Sequence, residues 1–279
     1  MRPWRWIAAA AALLVGMPAW GQEKLTQDTI QCSIIGFNVG VKAPMTLGSF
    51  VKQADGTRST TGTMADLYGG VPLDFGLNYN YKYQNGWVLS FDADLFFGND
   101  NLKHRYERMS DVFTNDSTPI IVGTNGTDAV VTCYNRGLSA QAGVGKIVFF
   151  DQSKNPNSGA LFKLSGGPMM QKTVFMLNEV NAPQVDGDYA RLYDHRRQGA
   201  MLTESVGLWF MSNKLNLVNF YAVFEVSECW TRSTRPYVID NLMGLSGPDE
   251  NRYFDLLYSV KLCWMFPLKG KTSFDYYYY

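Results

Sequence analysis

The chain has 279 residues, and its 25 basic and 25 acidic side chains give a formal net charge of zero. A neutral chain lacks the excess positive charge of a nucleic-acid surface, so we expect no nucleic-acid partner. Aromatic residues make up 14% of the sequence, more than an ordinary soluble core needs, and this excess requires a structural explanation. Two histidines leave little room for a histidine-rich metal site, and we expect no cofactor.

The N-terminal residues 1–21 have the three-part layout of a secretory signal peptide. Two arginines in MRPWRW precede the short apolar run IAAAAALLVGM, and PAWG ends in small residues. The run is about half the roughly 20 residues that a membrane-spanning helix requires. We expect cleavage after Gly21, export, and a mature chain without a transmembrane helix, the alternative being an N-terminal anchor helix. Residues 22–33 are then a periplasmic N-terminal segment.

The four cysteines are scattered without the close spacing of a disulfide framework or a zinc site. In an exported chain Cys133 and Cys229 remain candidates for a disulfide if their loops approach each other. Cys32 is preceded by Thr29-Ile30-Gln31 rather than by small residues, which argues against lipid attachment there.

Residues 71–97 contain the clearest local pattern in the chain. From Val71 to Tyr83 every second residue is large and apolar, which is the period of a β-strand. Asn85-Gly86 follows, the strongest two-residue hairpin signal, because both central positions of that turn require positive φ. The returning segment 87–97 keeps the apolar alternation. The sequence therefore predicts a β-hairpin.

The same alternation predicts a last strand over 254–266, and weaker patterns predict further strands at 34–44, 137–149, 159–173, 201–211 and 217–230. The total is eight, an even number. Long and short connections alternate between them: 45–70, 98–136, 174–200 and 231–252 are long, whereas 85–86, 150–158 and 212–216 are short. This asymmetry is typical of an up-and-down barrel in an outer membrane, with short periplasmic turns and long outer loops.

Periodicity alone does not reveal which face of such a barrel is inside, because a secreted lipocalin-like barrel also has eight alternating strands. The interior of an eight-stranded barrel is just wide enough for side chains to fill it. Inward stacks of seven large apolar residues would overfill that space, whereas outward stacks would meet lipid. We therefore predict an all-β fold, an eight-stranded antiparallel transmembrane barrel over 34–267, followed by an aromatic C-terminal tail at 268–279.

The opposite face of the predicted strands carries polar and charged residues, which we expect to form an ion-pair network in the barrel interior. Its predicted members are Asp74, Lys82, Asp92, Asp94, Glu225, Asp255 and Lys261. A catalytic or ion-binding carboxylate pair at Asp92 and Asp94 is the alternative. Aromatic residues crowd the short-turn end of the first hairpin and predict an interfacial girdle. They are Tyr79, Tyr81, Tyr83 and Trp87.

With these features the chain resembles the small outer-membrane β-barrel proteins of Gram-negative bacteria, particularly the Bacteroidota type. The resemblance rests on the signal peptide ending before Gln22, the 71–98 hairpin, and three shorter segments. Those segments are Gly145-Lys146-Ile147, Asn155-Pro156-Asn157-Ser158-Gly159 and the terminal Phe274-Asp275-Tyr276-Tyr277-Tyr278-Tyr279. The resemblance implies residence in the outer membrane and contact with its lipid and with the barrel-insertion machinery. Pro267 separates the last predicted strand from the terminal tyrosines, unlike the usual insertion signal.

Because a barrel of eight strands has a filled lumen, a general-diffusion pore is excluded. We expect a structural, assembly or interaction role in the cell envelope. The alternatives are a surface hydrolase or acyltransferase acting on lipid or peptide through loop residues, and a lipocalin-like ligand carrier. His104, close to Ser110 and Asp111, and His195, next to Asp194, are the histidines to consider, and we expect both to be solvated.

A basic cluster in the third long connection is a candidate site for lipopolysaccharide phosphates. Its residues are Arg191, His195, Arg196 and Arg197. A solvated loop is the alternative. Other envelope proteins are the remaining candidate partners.

Overall fold

The computed structural model describes residues 30–100, 102–113, 120–150, 155–178, 182–211 and 219–268. The signal peptide at 1–21, most of the N-terminal segment at 22–33, and residues 269–279 of the aromatic tail lie outside the described residues.

Eight long strands pair antiparallel with their neighbours in chain order, and the last pairs with the first to close a barrel. This is the predicted eight-stranded up-and-down barrel. The eight are β1 (Cys32–Lys52), β3 (Leu73–Lys82), β4 (Trp87–Phe97), β6 (Asp128–Phe149), β7 (Gly159–Asn178), β8 (Arg197–Met211), β9 (Asn219–Ser233) and β12 (Arg252–Leu268).

The long connections contain short elements of their own. Four short strands lie there: β2 (Arg58–Ser59), β5 (Ile121–Val122), β10 (Val238–Asp240) and β11 (Leu245–Gly247). The described residues of these connections also form three short helices, α1 (Met64–Leu67), α2 (Arg105–Arg108) and α3 (Gly187–Tyr193), and a 3-10 helix (Pro183–Val185). Helix α1 begins at Thr63, whose side chain accepts a hydrogen bond from the Asp66 amide. None of the helices within the described ranges is long and apolar enough to cross a membrane.

The strands are staggered round the barrel. One can start at Ile35 and pass from each residue to its paired residue on the next strand. One circuit of the ring then returns to β1 at Met45, ten residues beyond Ile35. A stagger of this size in eight strands tilts them by about 40° from the barrel axis. A row of paired residues therefore shifts towards the long-connection end with each strand, in chain order from β1 to β12.

Most strands are longer than the sequence predicts, and the extra residues lie chiefly at the long-connection end. Strand β6 starts at Asp128 instead of 137, and β7 reaches Asn178 instead of 173. Several inward residues of the β6 extension, such as Val131 and Cys133, are apolar and buried. Outward residues of the extensions such as Val130 and Met176 are also apolar, so the alternation of polar and apolar residues seen in the rest of the barrel is lost there. At the other end β12 continues through Pro267 to Leu268.

The side chains alternate as predicted between a buried lumen and an exposed outer surface. Asp74 and Lys82 are fully buried, whereas their neighbours in sequence, Leu73 and Tyr81, face outward. The first hairpin turns at Gly86, whose φ of 83° is one that glycine adopts without strain.

Candidate functional site: a sealed lumen under a folded cap

The outer surface of the barrel carries an apolar band bounded by aromatic residues. Trp230 pairs with Phe254 at the long-connection end, and Phe220 pairs with Trp264 ten residues along the same two strands. Ten residues at about 3.3 Å each, tilted by about 40°, give a band about 25 Å tall, which is the height of the lipid-facing band of transmembrane barrels.

The predicted interfacial aromatics lie at the short-turn edge of this band. Tyr79 and Trp87 are exposed, and Tyr81 and Tyr83 are partly exposed, with the last two rings in edge contact at 4.9 Å. The Lys146 ammonium lies 5.3 Å from the centroid of the Trp87 ring. Aromatic rings with a polar partner are suited to the boundary between lipid and water.

A charge network fills the middle of the lumen. Lys261 Nζ lies 2.7 Å from Asp94, 3.1 Å from Glu225 and 3.3 Å from Asp74. Lys42 contacts Asp74 at 3.0 Å, and Lys163 contacts both oxygens of Asp92 at 3.1 Å. The sequence analysis did not predict Lys42 and Lys163 as members of the charge network, although both lie at inward positions of their strands.

Hydrogen bonds from neutral side chains supplement the ion pairs at two carboxylates of the network. The Glu225 carboxylate accepts hydrogen bonds from Ser205 at 3.1 Å and Ser259 at 3.0 Å, and Asp94 accepts one from Asn38 at 3.1 Å. Asp92 and Asp94 thus lie beside different lysines, as the ion-pair interpretation expects. Removing one member would leave a buried charge without its partner, which is strongly destabilising.

Two of the seven predicted network residues lie apart from it. Lys82 is at the short-turn end, where its ammonium donates to the Ile30 carbonyl at 2.8 Å and to Asn157 at 3.1 Å. Asp255 is at the opposite end and accepts a hydrogen bond of 2.6 Å from the Met64 amide. The structure therefore brings together five of the predicted residues and adds two lysines.

Below the network the lumen is closed by apolar side chains, a floor that the sequence pattern did not predict. Trp209 stacks on Tyr221 with ring centroids 5.6 Å apart, and both are buried. Smaller residues complete the floor: Ile34, Val88, Ile147, Leu161, Val223 and Met265.

Above the network the long connections fold over the barrel mouth and form the outer cap, which we define as residues 58–68, 102–113, 182–196 and 238–240. Its apolar side packs into the barrel through Met64, Leu67 and Tyr68 of the first connection. The Tyr68 hydroxyl contacts Thr173 of β7 at 2.8 Å, and burial raises the pKa of Tyr68 to about 12. Tyr68 therefore stays neutral at physiological pH.

Arg108 joins three separate connections within the cap. Its guanidinium, which is fully buried, donates to Asp66 and to Asp240 at 2.5 Å each. Its Nε donates to the Lys103 carbonyl at 3.2 Å. Because a planar guanidinium can engage two carboxylates in fixed directions, Arg108 sets the relative position of these connections.

Arg197 anchors the cap to the barrel. Its guanidinium lies 3.4 Å from the Tyr253 ring centroid and donates to the Gly62 carbonyl at 2.7 Å. Gly62 immediately precedes the N-cap of α1, so this contact and the Asp255–Met64 hydrogen bond hold the same helix against the rim of the barrel.

His195 is buried within the cap, so the prediction that it is solvated was wrong. Its Nε2 lies 3.4 Å from Asp240, whose carboxylate is also bound by Arg108. Burial, followed by the positive charges of Arg197 and Arg108, holds the pKa of His195 well below its usual range. The Asp240 carboxylate favours protonation, but it is shared with Arg108, so the lowered direction stands. His195 is neutral at neutral pH.

The predicted phosphate cluster does not form one exposed surface. Arg197 is buried against Tyr253, and His195 is buried as described above. Arg191 is exposed and contacts Asp188 at 2.7 Å, whereas Arg196 lies over Met170 on the barrel exterior.

The predicted catalytic alternative finds little support in the cap geometry. His104 is exposed and lies 3.4 Å from Glu107. Ser110 and Asp111 accept hydrogen bonds from Asn241, and Asp111 also accepts one from Tyr193 at 2.5 Å. The described residues contain no group of three or more histidine, cysteine or acidic side chains suited to a metal ion.

Cys133 and Cys229 do not form the disulfide that the sequence left open. Both are buried free thiols. They lie on β6 and β9, which β7 and β8 separate in the ring.

A barrel with charges inside and an apolar band outside is the inverse of a water-soluble barrel. The fold and surface therefore define a transmembrane β-barrel with a closed lumen.

No protein-family model and no curated protein matches the chain. Solved structures of small outer-membrane proteins share its general outline. The Pseudomonas aeruginosa outer-membrane protein OprG is 12% identical and has a TM-score of 0.40, covering 88% of this chain and 99% of OprG. Ail, the attachment invasion locus protein of Yersinia pestis, was solved with a heparin analogue and is 14% identical. Its TM-score is 0.35, covering 85% of this chain and 99% of Ail.

Proposed function

We propose that the chain is an integral outer-membrane protein that does not conduct solutes and that uses its folded outer cap as an interaction surface of the cell envelope. The observation that carries this proposal is the sealing of the lumen at three levels. The apolar floor, the charge network and the cap follow one another along the barrel axis.

The apolar band supports membrane insertion, because exposed large apolar residues ring the barrel at the height that lipid requires. The alternation of short turns and long connections supports an orientation with the cap outside the cell. The cap itself supports an interaction role. Buried ion pairs give it a defined shape, while Tyr106 and Tyr189 remain exposed on it. Exposed tyrosines are common in protein interfaces.

The two alternatives receive less support. A lipocalin-like carrier needs an apolar internal cavity, and here the centre of the lumen is filled by lysines and carboxylates. A surface enzyme needs accessible catalytic groups, and His195 is buried between charged side chains. The Bacteroidota-type affiliation, lipopolysaccharide contact and use of the barrel-insertion machinery are part of the proposal.

Membrane fractionation combined with conductance measurements tests the proposal. We expect the protein in the outer-membrane fraction, released by detergent alone, and without pore-scale conductance after insertion into planar bilayers. A soluble periplasmic protein or an open channel would refute it.

Photo-crosslinking in cells tests the interaction role. A crosslinker at Tyr189 in the cap should capture an envelope protein, whereas one at Val144 in the lipid-facing band is the matched control. Absence of any capture from the cap, or the same products from both positions, would contradict the interaction role.

A further inference from the structure

The outer surface of strands β6, β7 and β8 combines a basic row with an apolar groove immediately beside it. The row contains Arg136, Lys172 and Arg196. Arg136 pairs with Lys172 across β6 and β7. Arg196 lies one position beyond the pair formed by Gln171 and Arg197, which places it opposite Lys172. Three positive side chains thus follow one another on neighbouring strands near the upper aromatic edge of the band.

Local contacts hold two of these side chains in place on the outer surface. The Arg136 guanidinium lies over the rings of Phe97 and Tyr134 and donates to the Gly98 carbonyl at 2.9 Å. Arg196 Nη2 lies 3.4 Å from the Met170 sulfur, and its Nε has no hydrogen-bond partner among the described residues. Lys172 is exposed.

Among the described residues, no acidic side chain forms an ion pair with these three cations. The ion pairs found within the described ranges involve other arginines and lysines. Asp194, the carboxylate nearest to Arg196 in sequence, is bound by Arg235. The row therefore presents positive charge to whatever lies against the barrel surface.

The groove begins on the membrane side of this row. It has a volume of about 360 Å³, and its lining, which includes Leu138, Ala140, Pro168 and Met170, is apolar except for Gln198. The ladder between β6 and β7 passes from the Ser139–Met169 pair to the Ala142–Gly166 pair without pairs between them. Proline has no amide hydrogen to donate, which explains the interruption at Pro168. Small side chains at this interruption leave the depression.

We propose that this surface binds one phosphorylated lipid of the outer leaflet, with its phosphate on Arg136, Lys172 and Arg196 and an acyl chain in the groove. Arginine and lysine supply charge-assisted hydrogen bonds to phosphate oxygens, and the groove accepts a hydrocarbon chain. A lipid has both parts in this order, since its phosphate lies at the membrane surface and its chains run into the band. The proposal rests on the outer-membrane placement proposed above.

The test is native mass spectrometry of the full mature chain released from detergent micelles. The probes are a monophosphorylated lipid A and its dephosphorylated counterpart with the same acyl chains. We expect the chain to retain the phosphorylated lipid with roughly tenfold higher apparent affinity, a preference of the size that a few charge-assisted hydrogen bonds give. Excess inorganic phosphate should not abolish the preference, because it lacks the acyl chain.

Two variants examine the two halves of the site. R136Q/K172Q/R196Q should remove the preference for the phosphorylated lipid. Ala140→Phe fills the groove and should weaken retention of both lipids. The matched control is K52Q/R252Q, which removes a cross-strand pair of exposed basic residues at the same rim. Phe50 and Phe254, rather than small residues, lie next to that pair.

The gel mobility of unboiled protein shows whether each variant folds. Equal retention of both lipids by the unmodified chain would overturn the inference. The inference would also fail if K52Q/R252Q lost the preference for the phosphorylated lipid as fully as R136Q/K172Q/R196Q. Displacement of the lipid by inorganic phosphate would also overturn it. A soluble protein in cell fractionation would refute the proposed function, whereas an outer-membrane protein without the phosphate preference would refute this inference alone.

Discussion

Lys261 of β12 reaches Asp94 of β4 with its ammonium 2.7 Å from the carboxylate, and so connects strands that β1 and β3 separate in the ring. The same ammonium contacts Glu225 and Asp74. Lys261 is therefore the centre of the charge network that fills the lumen.

Replacing Lys261 with alanine should destabilise the barrel strongly. Three carboxylates would lose a shared cation inside a lumen where water replaces it poorly, and loss of one partner of a buried pair costs about 3–5 kcal/mol. Urea unfolding in detergent micelles, followed by the gel mobility of unboiled protein, measures the change. Lys52→Ala, which removes an exposed lysine, is the control and should change the unfolding free energy by less than about 0.5 kcal/mol. Similar losses in both variants would contradict the central role of Lys261.

The cap should loosen in acid because of His195. Its pKa is lowered in the closed cap, whereas in an opened cap it returns to about 6.5. Below pH 6.5 the open state binds the proton more readily than the closed state, so the stability of the closed cap relative to the open cap falls as the pH falls. Above pH 6.5 that stability is fully present. Once divided by the intrinsic exchange rate, which itself falls with pH, the hydrogen-exchange rate of the α1 amides should accelerate between pH 6.5 and pH 5.

The two histidines of the chain provide a matched comparison for this pH effect. His195→Gln should remove the extra acceleration, whereas His104→Gln, at an exposed position, should leave it unchanged. An identical pH dependence in the His195 variant and the unmodified chain would show that another group controls the cap.

Glu204 and Glu228 are partly exposed on the outer face of β8 and β9, within the apolar band, where their strand neighbours Thr203 and Ser227 face the lumen. An acidic side chain facing lipid is unfavourable. Glu204→Leu should therefore raise the unfolding free energy in lipid vesicles by roughly 1–2 kcal/mol.

The inward glutamate Glu225 gives the contrast for this prediction. Glu225→Leu should destabilise the barrel, since Lys261, Ser205 and Ser259 lose their partner. A destabilising effect of both leucine substitutions would mean that Glu204 does not face lipid.

The barrel could be predicted from the sequence because lipid outside and polar groups inside impose a period of two on each strand. The cap could not. His195 is buried beside Asp240, and Arg108 contacts Asp240 across 132 positions of the chain. No local sequence pattern predicts such contacts between distant residues. The extensions of β6 and β7 were missed because Val131 and Cys133 face an apolar cap interior instead of the polar lumen.

The lower apolar floor was missed for a related reason. Val88 and Met265 occupy inward positions that were read as part of a polar face, because the strand pattern gives the direction of a side chain but not the layer of the lumen that it reaches. Lys42 and Lys163 were inward residues on strands whose predicted boundaries included them, and only the assembled barrel shows which carboxylates they meet.

The most direct test of the account is the fluorescence quenching of two tryptophans by lipids brominated on their acyl chains. Trp264 faces outward and Trp209 is buried in the lumen. The two tryptophans lie at similar depth. Trp209 pairs with Tyr221 on β9, and Tyr221 pairs with Cys263 on β12, which is the residue before Trp264. In vesicles, a variant that retains Trp264 as its one tryptophan should be strongly quenched, whereas one that retains Trp209 should be nearly unaffected. Strong quenching of Trp209 and weak quenching of Trp264 would mean that the apolar face points into the barrel, which would contradict the transmembrane barrel.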